Sequence, residues 1–355
     1  MAFLRVIMRL RLALAIVCLS AFGVVHAAPI ADALERPALI SAHPQQVVLM
    51  AAATAGNRLV AVGERGIVIW SDTSGADWHQ AQVPVSVTLT SVHFVDSQRG
   101  WAAGHAGVVL ASQDGGQTWE KQLDGHVAAR LMLEDAESRK DAVALKEAER
   151  LVSDGADKPF LDLHFFDAER GIVVGASNLA FATSDGGHTW NPISNRIENP
   201  RALHLYSLSV KGDVLLIAGE EGVVFKSDDA GHTFRRFMTP YKGSFFTCEL
   251  LSSGEMLVAG LRGNVWRSSD DGANWAQLKS PASVSFTASA VLGDQEIVLA
   301  NQAGQLFFLR DNKLQQLPAS PLPAPAGLLS LNDGRLLALT MRGAIPVSAV
   351  LEGIK

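Results

Sequence analysis

Two tyrosines, Tyr206 and Tyr241, are the only ones in the 355 residues, and they bear on the most specific chemistry open to this chain. A sialidase-type sugar hydrolase needs a tyrosine nucleophile paired with a glutamate, an aspartic acid as proton donor, and three arginines that grip a carboxylate. Tyr206 opens the apolar run Tyr206–Val210, which reads as a strand, so it is expected to pack. Tyr241 stands beside Lys242 in a loop, where a ligand could reach it. No arginine motif of the sialidase kind precedes the first Asp-type turn. Glycoside hydrolysis or carbohydrate binding is therefore the second reading, behind a non-catalytic one.

Other chemistry is sparse. The histidines do not fall at metal-ligand spacings. His93 and His164 occupy equivalent strand positions and read as core residues, while His188 and His232 lie in turns. Glycine pairs such as Gly63–Gly66 and Gly104–Gly107 end strands instead of opening a helix, which argues against a phosphate loop. No nucleophile elbow or metalloprotease helix occurs. No catalytic residue, metal or cofactor is expected.

The aspartates Asp114, Asp185, Asp229 and Asp270 recur in one phrase, Ser/Thr-x-Asp-x-Gly-x-x-aromatic. One copy per repeat points to a turn: the carboxylate accepts backbone N–H groups across it, and the glycine before the aromatic takes positive φ. The aromatics Trp78, Trp119, Trp190, Phe234 and Trp275 are 41, 71, 44 and 41 residues apart. The long interval is one period plus an insertion. Each period holds four short apolar strands; in the second they are Thr88–Phe94, Trp101–Ala103, Val108–Ser112 and Trp119–Leu123. Weaker copies follow, with Ile297–Ala300 and Leu306–Leu309, and then Leu328–Leu331, Leu336–Leu339 and Ala344–Val350.

About forty residues and four strands per unit is the pattern of a β-propeller blade. The expected fold is all-β, a seven-bladed β-propeller over 38–355, with a helical insertion, 124–159, between blades 2 and 3. The seventh blade lacks a fourth strand, and Ala38–Ala42 is expected to supply it and close the ring.

Composition agrees. The chain is 48% hydrophobic and 19% charged with a net charge of −6, too apolar for a disordered protein and without the basic excess of a nucleic-acid binder. Arg5, Arg9 and Arg11 precede an apolar stretch, Leu12–Val25, and small residues follow at Val25 and Ala27. Residues 1–27 read as a signal peptide cleaved after Ala27, with a leader over 28–37, so the protein is expected in a periplasm or a comparable lumen. Cleavage removes Cys18, leaving Cys248 without an internal disulfide partner, and no stable membrane insertion is expected afterwards.

In a meandering blade the Asp turns share one face, and the second-to-third-strand hairpins share the other with the links between blades. The hairpins present Glu64, Arg65, His105, Asn178, Glu220, Glu221, Arg262 and Asn301, and the links add Arg196, Arg201, Tyr241 and Lys242. Unlike polar residues at equivalent positions are not required by the fold, so this set is the candidate partner-binding surface. The insertion should emerge on the same face. Its middle, Ala128–Val152, reads as a helix or helical hairpin, with Ala142, Leu145, Ala148 and Val152 at near-helical spacing.

The repeat resembles the photosystem II stability/assembly factor family. The likeness is strongest at Val92-x-Phe94-x-Asp96, Arg99–Gly104, Gly107-x-Val-Leu110 and Asp114–Trp119, and again from Asp162 through Trp190. That resemblance implies a seven-bladed propeller acting on a membrane complex from the luminal or periplasmic side. The arginine patch of the photosynthetic relatives is replaced here by arginines scattered among acids. The partner expected is an envelope or membrane protein complex, in a photosynthetic or a non-photosynthetic host.

Overall fold

The computed structural model describes residues 32–293, 296–331 and 333–347. The expected signal peptide, most of the leader and the chain end beyond Val347 lie outside them. The residues from Ala33 onward form one compact unit.

The second sheet shows how the sequence makes the fold. Its strands Leu89–Phe94, Gly100–Gly104, Val109–Ser112 and Glu120–Leu123 pair antiparallel in chain order. The second strand is buried at every position because both faces of the sheet are covered: Ala102 packs toward the first sheet, and Trp101 and Ala103 toward the third. That double burial is why each repeat carries an unbroken apolar run, which ends in glycine in the first five. Seven such sheets are present among the described residues, six of four strands and one of three, the last built from Pro325–Ser330, Leu336–Thr340 and Gly343–Val347. Each first strand lies beside the first strand of the next sheet, and Leu49–Ala55 lies beside Pro325–Ser330.

The repeated turn is built as its residues require. Asp114 Oδ1 accepts the backbone N–H groups of Gln117 and Thr118 at 2.9 Å each, and Oδ2 accepts the Thr118 hydroxyl at 2.6 Å. The first residue of the phrase holds the glycine in place. Ser112 Oγ accepts the Gly116 N–H at 2.9 Å, and Thr183, Ser227 and Ser268 do the same for Gly187, Gly231 and Gly272. These four glycines have φ between 81° and 90°. The aromatic packs between sheets, as Trp119 does against Val60 and Val62.

The first strand of every sheet is a free edge, whose outward N–H groups have no strand partner. Side chains of the preceding sheet satisfy several. Asp162 accepts from Leu208 at 2.7 Å, Ser207 from Cys248 at 3.3 Å, Ser209 from Leu250 at 3.0 Å, and His93 Nδ1 from Phe165 at 3.4 Å. The His93 and His164 rings lie 4.2 Å apart, tilted by 46°; burial lowers their pKa values to about 4 and about 3, so both are neutral at pH 7.

Pairing of first and second strands slips by one residue at the same place in all seven sheets: Leu205 faces Gly219, for instance, and Ser207 faces the adjacent Ala218. The surplus residues are Met50, Thr90, Leu161, Tyr206, Phe246, Thr287 and Ala326.

Three expectations are corrected. Ala38–Ala42 forms no strand of the last sheet. The Ala38 N–H donates to Val83 O, and Gln80 holds Leu39 O and the Ser41 N–H, because the extended link 81–87 offers both free backbone groups and buried Ala81, Val83 and Val85. The seam between last and first sheets is apolar instead, with Leu49, Leu59, Leu331, Leu337 and Leu339 in one cluster. Second, the insertion is a helical hairpin, α1 (Gly125–Arg139) and α2 (Ala142–Asp154), but Ala142 and Val152 are exposed and Leu151 lies on the packed side with Ala148. Asp124 and Asp141 cap the two helices, each accepting two first-turn N–H groups at 3.1 Å. Third, Asn301 is buried.

Candidate functional site

The hairpins between second and third strands close in one way. Arg65, Ala106, Ser177, Glu221 and Arg262 each take φ between 53° and 57°, and a glycine of positive φ follows four of them, Asn178 standing there in the third. The glycine ending the second strand is required by close approach: a Cβ on Gly175 would lie 2.3 Å from Pro159 O, and one on Gly63 2.0 Å from Val48 O. Hairpin amides donate to the segments leading into first strands, as Glu220 does to His204 O and Leu261 to Ser244 O. Hairpins and links therefore share a face. The turns between first and second strands bond the Asp turns, with the Gly115 N–H on Gln98 O and the Gly186 N–H on Glu169 O. That places the four Asp turns on the opposite side.

The hairpin face gathers part of the expected set. Around the fourth sheet, Arg201 and Glu221 form a two-pronged ion pair, and Glu220 Oε2 accepts the His204 N–H at 3.2 Å. Tyr206 lies beside them, its ring centroid 5.9 Å from His204 and 5.3 Å from Phe246. Burial, then the charge of Glu220, push its phenol pKa up. Around the fifth sheet, Tyr241 donates to Leu261 O at 2.9 Å, and burial pushes its phenol pKa up against the opposing charge of Arg262. Arg262 itself is exposed, its backbone N–H on Ser285 Oγ at 3.1 Å. Glu64 is half-buried, and Arg65, His105 and Lys242 are exposed on the same face.

Three members of the set belong elsewhere. Asn301 is 1% exposed, and its amide holds the Gln305 backbone and side chain. Asn178 is spent on Ser194 O and the Asn199 amide. Arg196 runs to Gly231 O at 3.2 Å in the fourth sheet's Asp turn, where it lines a cavity of about 240 Å³ with Phe166, Ile172 and His232. Asparagine in a tight hairpin serves its own backbone, and arginine is long enough to leave the face that its Cα occupies.

The surplus first-strand residues were not among the sequence candidates. Their signal was the large apolar residue at the second position of four first strands, Met50, Leu161, Tyr206 and Phe246, which simple alternation reads as core. Helix α1 starts against the second sheet's hairpin, where Gly107 faces Gly125, so the helical hairpin stands on this face too. Among the described residues, no group of three or more His, Cys, Asp and Glu side chains could hold a metal ion, and no helix is long and apolar enough to cross a membrane.

Seven antiparallel sheets of three or four strands, with Asp turns on one side and charged hairpins on the other, define a propeller-type fold. The chain matches the model of the photosystem II assembly factor YCF48 over residues 70–154 and 142–308, more than half its length, and it belongs to that family. It is 32% identical over 82 residues to the photosystem II assembly lipoprotein Ycf48 of Synechococcus sp. (strain CC9902), covering 23% of this chain and 25% of that protein. It is 37% identical over 43 residues to the photosystem II assembly protein Ycf48 of Thermosynechococcus vestitus (strain NIES-2133 / IAM M-273 / BP-1), covering 12% of each. The matched stretches thus span a quarter or less of these relatives. Among solved structures, YCF48 bound to a D1 peptide superposes with a TM-score of 0.64 at 16% identity, over 88% of this chain and 98% of the other. YCF48 from Cyanidioschyzon merolae gives 0.61 at 14%, over 88% and 97%. The WD40 propeller domain of Doa1 also gives 0.61, at 11%, over 88% and 95%, so the structural likeness concerns the fold.

Proposed function

We propose that the chain is an exported, non-catalytic propeller of seven blades, with its helical hairpin between blades 2 and 3, that acts as an assembly or stability factor for a membrane-protein complex. The family match over residues 70–308 carries this reading. The circle of adjacent first strands supports the blade count, and the Synechococcus relative's description as a lipoprotein supports export. The candidate docking surface is the hairpin face with Glu64, Arg65, His105, Arg201, Glu220, Glu221, Tyr241, Lys242 and Arg262. A D1 peptide is bound by one structural relative, so a segment of a membrane-protein subunit is the kind of partner proposed here.

The use of the polar residues on this face favours binding over hydrolysis. Glu220 serves the His204 amide, Arg201 is taken by Glu221 and Arg196 by Gly231 O, so Tyr206 lacks the free carboxylate and arginine grip a sialidase uses. The test is to replace Glu220, Glu221 and Arg262 together with alanine and recover envelope partners by affinity capture. Loss of specific partners is expected; an unchanged set rejects this surface. Turnover of a fluorogenic sialoside or glucan by the wild type rejects the non-catalytic reading.

A further inference from the structure

The cleft between the second and third sheets is filled by three aromatic rings. Trp101 stacks on Phe165 at 3.6 Å, Trp190 meets Phe165 edge to face, and the Trp101 indole N–H reaches Gly186 O. In the next cleft, between the third and fourth sheets, the equivalent positions hold Ile172, Val210 and Phe234. Register fixes the equivalence. Trp101 and Ile172 each follow the glycine that faces the first residue of an Asp turn. Phe165 faces Gly171 just as Val210 faces Leu215, the partner of Ser227. A cavity of about 240 Å³ opens where the larger rings are missing, with Phe166, Ile172, Ala182 and Ala230 in its walls. An apolar cavity of about 150 Å³ already takes up benzene, so an aromatic ring has room here.

The missing tryptophan also changes the hydrogen bonding. In the first two sheets the indole N–H groups of Trp78 and Trp119 serve the carbonyl three residues back, Gly75 O and Gly116 O, at 3.0 Å each. Phe234 brings no such donor, and Arg196 Nη1 takes its place at Gly231 O, at 3.2 Å. The guanidinium is thereby held at the cavity wall, with no ion-pair partner among the described residues and its other N–H groups uncommitted. The second arginine of the lining, Arg170, is matched by Asp167 at 2.8 Å. Among the described residues no aspartate or glutamate lines the cavity. Asp229, in the adjoining turn, spends its carboxylate on Ser227 and Thr233. The cavity thus pairs apolar walls with one unmatched cation that can grip a planar anion.

We infer that the cleft between the third and fourth sheets binds a small aromatic carboxylate, its ring among Phe166, Ile172 and Ala182 and its carboxylate on Arg196. The site lies on the Asp-turn side, away from the candidate docking surface, and goes beyond the scaffold reading; neither depends on the other. The test is isothermal titration calorimetry of the purified protein with indoleacetate, indoleacetamide and acetate. Saturable binding of indoleacetate is expected, at least fivefold tighter than the amide, because a hydrogen bond between charged groups exceeds one to a neutral group. Acetate, without the ring, should bind at least tenfold more weakly than indoleacetate. Phe234→Trp restores the ring and donor of the other turns and should weaken indoleacetate at least tenfold. Should that variant not fold, Ala182→Leu fills the cavity from the opposite wall and serves instead. Arg196→Gln should bring indoleacetate down to the affinity of the amide. Arg262→Glu, on the hairpin face, should change nothing. No saturable binding, equal binding of acid and amide, or undiminished binding by the filled variants overturns the inference.

Discussion

The Leu208 backbone N–H of the fourth sheet donates to the carboxylate of Asp162 in the third, at 2.7 Å. The same carboxylate takes the Ser91 hydroxyl of the second sheet at 2.7 Å and the Leu163 N–H at 2.9 Å, so one side chain joins three sheets. Burial raises its pKa to about 6 even against these donors. Asp162→Ala strands a hydroxyl and an edge amide in a dry place and is expected to cost about 2–4 kcal/mol; Asp162→Asn, which keeps an acceptor, should cost about half that. Urea unfolding midpoints measure both.

Glu249, held by the Ser289 hydroxyl at 2.7 Å, is pushed up by burial to about 7. The folded state therefore keeps a proton that the unfolded chain has released from about pH 4.5 upward. Stability contributed by that proton is whole below this window and lost as the pH rises through 7. Glu249→Gln keeps the hydrogen bond and cannot titrate. The fall in unfolding midpoint between pH 5 and pH 8 should be smaller in the variant; equal falls refute the assignment.

The Asp turns respond to acid in the opposite sense. The Thr233 hydroxyl and N–H hold the Asp229 carboxylate at a pKa of about 2, so its contribution is present above about pH 4 and disappears as the pH falls toward 2. Asp229→Asn should flatten the loss of stability between pH 4 and 2, as followed by thermal denaturation. At pH 7, Asp114→Ala should cost about 1–2 kcal/mol through its lost hydrogen bonds.

Gly175→Ala tests the close approach of hairpin and link. The φ of −168° there suits any residue, so the penalty is purely one of space, with the new methyl 2.3 Å from Pro159 O and 2.8 Å from Phe160 Cα. A destabilisation of about 2–3 kcal/mol is expected from the forced backbone shift. An unchanged melting temperature contradicts it.

Trp101 reaches across a sheet boundary twice. Its ring stacks on Phe165 at 3.6 Å, and its indole N–H donates to Gly186 O at 3.0 Å. Trp101→Phe should lose about 1 kcal/mol with the hydrogen bond, and Trp101→Ala about 3–5 kcal/mol with the stack and a cavity. Calorimetry of the two variants separates the contributions.

Much of this was legible in the residues. The recurring Asp turn gave the period, and the burial of each second strand on both faces made its apolar run long enough to recognise. The placement of hairpins and Asp turns on opposite faces followed from strand order alone. What escaped were tertiary choices between near-equal local options. Ala38–Ala42 is apolar enough for a strand, yet the open link 81–87 lies nearer and binds it. Asn301 looks like an exposed tip residue, and only its bonds to Gln305 reveal a buried bracket. The surplus residue of each first strand leaves no mark in period-2 patterning, because a one-residue slip is visible only when both strands are seen.

The apolar seam between last and first sheets gives the molecule a property that a shared strand would deny it. No hydrogen-bonded ladder spans that junction among the described residues, as between the other sheets, and no link of chain crosses it there, so apolar side chains such as Leu49, Leu59, Ile69, Leu337 and Leu339 supply its cohesion. Backbone ladders resist shear along their length, whereas greasy contacts part readily when pulled apart. Under tension or on warming, this ring has a predetermined place to open, and its two ends are those that any tether at either terminus would load first.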